Sequence, residues 1–155
     1  MRKLLSLCIA FVALAGVAFT AAADPAHTPD DAKALVQKAA GFFKSQGKDK
    51  ALAAFNDPKG EFVQGDLYLF VMDANDGKLT MLAHGVNKAL LGKPQIDVKD
   101  AEGKAFNREM VGMLEKADET WMTYTWPNPA TKKIASKKSY VVKIGDVVIG
   151  AGVYN

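Results

Sequence analysis

Arg108 is the only arginine after Arg2, and lysine carries the rest of the positive charge. A planar fork of donors suits bidentate recognition of a carboxylate better than an ammonium does. The alternative for a single helical arginine is a solvated residue paired with a neighbouring acid. Tyr68, Trp121, Tyr124, Trp126 and Tyr140 are aromatic with a polar tip, a combination that can line a pocket and orient a ligand. The same side chains can equally fill a sheet core. Of the two histidines, His27 sits in a polar, proline-bearing lead, whereas His84 ends an apolar run beside Gly85, a better place for function.

Catalytic constellations are missing from this inventory. There is no Gly-x-Ser-x-Gly, no phosphate-binding loop, no dinucleotide fingerprint and no Cys-x-x-Cys-His. The single cysteine, Cys8, lies in the first apolar run and follows Leu7, where lipoprotein processing requires a small residue. One well-placed histidine makes neither a triad nor a metal site. The acids fall mostly in turns, where Asp and Asn have ordinary structural reasons to be. The sequence therefore predicts a binding protein with no catalytic residue, no cofactor and no metal.

The first 23 residues have the three parts of a secretory signal. Arg2 and Lys3 precede an apolar run from Leu4 to Phe19, and Ala21 and Ala23 offer small side chains to a signal peptidase. The run falls short of the ~20 apolar residues a spanning helix needs, so cleavage after Ala23 and a periplasmic or secreted location are expected. Formal net charge is +3 for the whole chain and +1 without Arg2 and Lys3. A near-neutral domain gives no electrostatic case for nucleic acid. Without a cysteine after Cys8 no disulfide can form, and a packed core must hold about 130 residues together as one domain.

These residues must be positioned by a small set of elements. Residues 24–30 read as a flexible lead, and Thr28 or Asp30 can cap a helix with Pro29 in its first turn. Ala32, Leu35, Val36, Ala39, Ala40, Phe42 and Phe43 recur at helical spacing, and Lys48 to Phe55 makes a second short helix. Strand-like runs at 67–72 and 80–83 flank Asn75-Asp76-Gly77 and predict a hairpin. A loop over 84–104, a helix over 106–116 and strands over 120–126, 138–144 and 147–154 complete the chain. Segregated helices and antiparallel strands predict an α+β fold with a sheet of about five strands.

Several stretches then fall into a familiar order. Leu82-Ala83-His84-Gly85-Val86-Asn87 runs on through Lys88 to Lys93 and is followed by Asp97, Asp100, Gly103 and Phe106-Asn107-Arg108-Glu109-Met110. Tyr124-Thr125-Trp126-Pro127-Asn128-Pro129, Lys137-Lys138-Ser139-Tyr140-Val141 and Gly150-Ala151-Gly152-Val153-Tyr154 come next. Together they resemble the single Cache domain family, extracytoplasmic sensor modules with a PAS-like sheet, over residues 31–154. Gly85 and Lys88 stand where that family commonly has proline.

The resemblance implies a long N-terminal helix beside an antiparallel sheet, with a pocket on one sheet face for a small organic acid, amino acid or similar metabolite. It implies Arg108 and Lys137 as the carboxylate-holding pair, with Lys138 in place of Lys137 if the register slips by one. Tyr68, His84, Tyr124, Trp126 and Tyr140 are the implied wall or hydrogen-bonding positions. The chain ends at Asn155, and the expectation is a stand-alone exported domain at residues 31–155. It would hand a bound small carboxylate to a separate membrane receptor or histidine kinase. The alternative is a degenerate Cache domain that docks to a partner protein without a ligand.

Overall fold

The computed structural model describes residues 27–155, so the expected signal segment and the start of the lead lie outside the described residues. Helix α1 (Pro29–Gln46) begins at a capping box: Thr28 Oγ1 accepts from the Asp31 N–H, and the Asp31 carboxylate accepts from the Thr28 N–H at 2.7 Å. Pro29 occupies the first turn, where its missing N–H costs nothing. Gly47, at φ 80°, then turns the chain directly into α2 (Lys48–Phe55). This left-handed backbone is one that glycine adopts without strain.

The strands are β1 (Val63–Gln64), β2 (Leu67–Asp73), β3 (Met81–His84), β4 (Glu119–Pro127), β5 (Ile134–Ile144) and β6 (Val147–Tyr154). Helix α3 (Phe106–Leu114) precedes β4. All strand pairs are antiparallel, in the order β1-β2-β6-β5-β4, with β3 also pairing with β2. The sheet thus has six strands where about five were expected. The extra one, β1, is two residues long and too short to show a period. Strand β5 also starts at Ile134, four residues before the expected Lys138.

Alternation along the strands makes two cores. Leu67, Leu69 and Val71 of β2 and Val147, Ile149 and Ala151 of β6 face α1 and α2, meeting Leu35, Val36 and Phe55. Phe70 and Met72 of β2 and Met122 and Tyr124 of β4 face the other way, against Phe106 and Met110 of α3. Six consecutive residues of β2 are consequently buried, which explains its unbroken apolar sequence. A register shift between Val71 and Met72 turns Ala83 toward the first core and Met81 toward the second.

The second core is incompletely filled. Gly150 and Gly152 occupy the α3-side positions of β6, and a Cβ on Gly150 would run into the Phe70 ring and lie 2.7 Å from Val141 Cγ1. These glycines let the side chains of β2 and β5 close over β6 and form a floor.

Candidate functional site

A cavity lies between that floor and α3. Tyr68, Phe70 and Met72 of β2 line it with Met122, Tyr124 and Trp126 of β4. Lys137 enters from β5 and His84 from β3, while Phe106, Asn107 and Gln95 close the α3 side. About 30 Å³ of its volume is solvent-accessible, room for roughly two water molecules. Tyr68, His84 and Trp126 also belong to a wider vestibule of about 300 Å³, walled by Val86, Asn87 and Leu90 and by Pro127, Asn128, Pro129 and Lys132.

Lys137 is the charge in this apolar space. It is 1% exposed, and none of the ion pairs among the described residues involves it. Its Nζ stands 3.9 Å from the centre of the Tyr68 ring, 4.9 Å from Tyr154 and 5.8 Å from Phe70. Ring faces of this kind attract an ammonium but replace only part of its lost hydration. Burial therefore pulls the Lys137 pKa down to about 7, and the carboxylate of Asp66 opposes that shift. The two tyrosine hydroxyls turn elsewhere: Tyr154 donates to the Pro127 carbonyl at 3.0 Å, and Tyr68 consequently donates to Tyr154 at 2.9 Å.

His84 is neutral. Burial first, and the neighbouring Lys137 charge second, hold its pKa near 3. Its Nδ1 accepts from the Asn87 N–H at 3.0 Å and the Val86 N–H at 3.4 Å, so the ring proton resides on Nε2 and leaves a donor for a ligand. Asn56, which ends α2, fixes the strand beneath it. Its amide accepts from the His84 N–H at 3.1 Å and donates to the Leu82 carbonyl at 3.2 Å. Asn56→Ala is expected to cost about 1–3 kcal/mol by orphaning two partly buried backbone groups. Hydrogen exchange should then quicken at the His84 amide while α1 stays protected.

The remaining polar side chains are held. Tyr124 Oη and Ser139 Oγ share a hydrogen bond of 3.1 Å, and burial raises the Tyr124 pKa. Asn107 Nδ2 donates to the Gln95 carbonyl at 2.8 Å, tying α3 to the loop before it. Among the described residues no group of three His, Cys, Asp or Glu side chains could hold a metal ion.

Five of the seven predicted positions meet here: Tyr68, His84, Tyr124, Trp126 and Lys137. Arg108 does not. Its side chain is 59% exposed on α3 and donates from Nε to Asp97 at 2.9 Å, the solvated ion pair that was its alternative. The apolar stripe of α3 runs through Phe106, Met110 and Leu114, and Arg108 lies about 200° around the helix from Phe106. Tyr140 also points away. It is in the core beside α1, next to Trp121, with its hydroxyl on Glu119. Lys138 shares that face, over the Trp121 ring, which removes the register ambiguity in favour of Lys137. Asn107 was missed, although a polar residue within the apolar stripe of α3 is a visible signal.

The model of the family described as "Single Cache domain 2" matches residues 20–155. Over 82 residues the chain is 32% identical to the methyl-accepting chemotaxis protein McpP of Pseudomonas putida KT2440, a stretch covering 52% of this chain and 15% of that protein. The structure superposes on the crystal structure of a methyl-accepting chemotaxis protein from Vibrio parahaemolyticus with a TM-score of 0.67 at 24% identity, over 81% of this chain and 86% of the other. It superposes on a Cache chemosensory domain studied for carboxylic acid recognition with a TM-score of 0.61 at 23% identity, over 81% and 86% of the two chains. At these identities the likeness establishes the fold.

Proposed function

Since this chain belongs to the single Cache domain family of extracytoplasmic sensor domains, we propose that it binds a small carboxylate between its sheet and α3, with Lys137 as the charge partner. The carrying observation is a lysine buried beside a cavity with no acid paired to it among the described residues. A buried charge of this kind is costly until an opposite charge reaches it. The recognition of carboxylic acids by the structurally similar Cache domain points the same way. Among the described residues no acid lines the cavity to take an amino group, and Lys137 is its only cation. A short monocarboxylate therefore suits it better than an amino acid or a dicarboxylate. In this reading His84 Nε2–H shares the anion. Turnover forms no part of this reading; the chain acts as an exported sensor domain whose bound state is read by a membrane receptor or histidine kinase.

Thermal unfolding with and without acetate, propionate and succinate at pH 6.5 tests this. Acetate or propionate at a hundred times its Kd should add about 2.7 kcal/mol of stability, and succinate should add less. No shift with any short acid would overturn the proposal. Arg108→Ala is expected to leave the shift unchanged within error, because its guanidinium faces solvent and Asp97. Loss of the shift in that variant would return the anion site to α3.

A further inference from the structure

We infer that the cavity takes up its carboxylate together with a proton, so that it reads out a weak acid, anion and proton jointly, and not the anion alone. This rests on the carboxylate site proposed above. The geometric reason is that no counter-charge among the described residues is in contact with Lys137. A lysine that is ion-paired before the ligand arrives is already protonated and binds an anion without further proton uptake. Lys137 instead meets ring faces from β2 and β6, so above neutral pH it regains its proton only when something negative arrives.

The other titratable and polar groups facing Lys137 come from each element packed around it. From β2 comes Tyr68 and from β6 Tyr154, both phenols with pKa values raised chiefly by burial. Strand β4 contributes Tyr124, also raised, and β3 contributes His84, held near 3. Helix α3 and the preceding loop add the uncharged amides of Asn107 and Gln95. Asp66, between β1 and β2, is the carboxylate acting on Lys137, and it accepts from Asn128 Nδ2 at 3.2 Å. The exposed Lys132 stands at the outer edge of the vestibule. Between pH 6 and 9 Lys137, with its pKa near 7, is therefore the cavity group that changes charge, while a free carboxylate with a pKa of about 4 stays ionised.

The balance is one anion plus one proton plus the neutral amine, giving an ammonium–carboxylate pair in the cavity. Below the ligand-free pKa the proton is already present and affinity is flat. Above it affinity falls about tenfold per pH unit, up to the raised pKa of the complex. At constant anion concentration, occupancy then rises as the surroundings acidify.

Calorimetric titration of the protein with sodium acetate tests the inference. It is run at pH 6.0, 7.5 and 9.0 in two non-carboxylate buffers of different ionisation enthalpy. Affinity should fall about a hundredfold from pH 6 to pH 9, with close to one proton taken up per acetate at pH 9 and close to none at pH 6. Acetate binding with equal affinity and no proton uptake across that range would overturn the inference and leave the carboxylate site standing. No binding at any pH would overturn both. An independent check follows the Lys137 ¹⁵Nζ resonance in ligand-free protein. A midpoint near neutrality supports the inference, and a midpoint above ~9.5 contradicts it. Lys137→Arg, charged throughout, should bind without pH dependence wherever it binds at all.

Discussion

Lys137→Met is expected to make the protein more stable and unable to bind a carboxylate. The two effects share one origin. Folding transfers an ammonium from water to a buried position and gives it aromatic faces in return. The pKa falls from 10.5 to about 7, and each unit corresponds to 1.36 kcal/mol, so the charged form carries a penalty on the order of 3–5 kcal/mol. The sign follows from proton counts. Between about pH 7 and 10.5 the unfolded chain keeps a proton that the folded chain has released, so wild-type stability rises with pH across that window. Below it both states are protonated and the penalty is fully present. The gain from Lys137→Met should therefore approach the full 3–5 kcal/mol at pH 6 and shrink steadily toward pH 10. Denaturant titrations at pH 6 and pH 9 measure it. A variant less stable than wild type at both values would mean that Lys137 has a favourable internal partner after all.

Gly152→Ala is expected to cost about 1–3 kcal/mol or more and to weaken acetate binding as well. A Cβ at this position would sit 2.7 Å from the Lys138 carbonyl and 2.9 Å from Ser139 Cα, besides colliding with Ser139 Oγ. Those are backbone atoms of the paired strand, and they cannot swing aside as a flexible side chain would. Relief requires β5 and β6 to part where Lys138 pairs with Val153 and Ser139 with Gly152. That displacement reaches Lys137 directly and strains the Tyr124–Ser139 hydrogen bond. Urea unfolding of Gly152→Ala beside Gly112→Ala separates site strain from a general glycine effect, because nothing lies within 4 Å of a Cβ at Gly112. Alanine in the α3 interior should be neutral or stabilising. Equal stabilities for the two variants would contradict this picture of the floor.

Much of the fold was legible because single residues set it locally. Thr28 and Pro29 start α1, Gly47 ends it, and the β2–β3 and β5–β6 turns fall at Gly77 and Gly145. Family resemblance then supplied the arrangement of these pieces. The site was harder to read because its membership depends on which side of each element faces the cavity. In β5 one residue of register exchanges Lys137 and Ser139 for Lys138 and Tyr140. The apolar residues of that strand occur on both faces, Val141 toward the α3-side core and Tyr140 toward α1. Alternation in sequence is therefore blurred, and Tyr140, expected in the pocket wall, packs in the core beside α1. Arg108 drew attention by being unique, yet the periodicity of α3 alone sends it to the solvent side. Gln95 carries no such signal, since it lies in an irregular loop whose approach to the cavity is set by long-range packing.

The most direct test is a crystal structure of the protein grown with saturating sodium acetate at pH 6.5. The account predicts a carboxylate within hydrogen-bonding distance of Lys137 Nζ, its methyl group against the apolar wall of the cavity. Acetate bound beside Arg108, or a cavity empty of acetate at saturation, would contradict it.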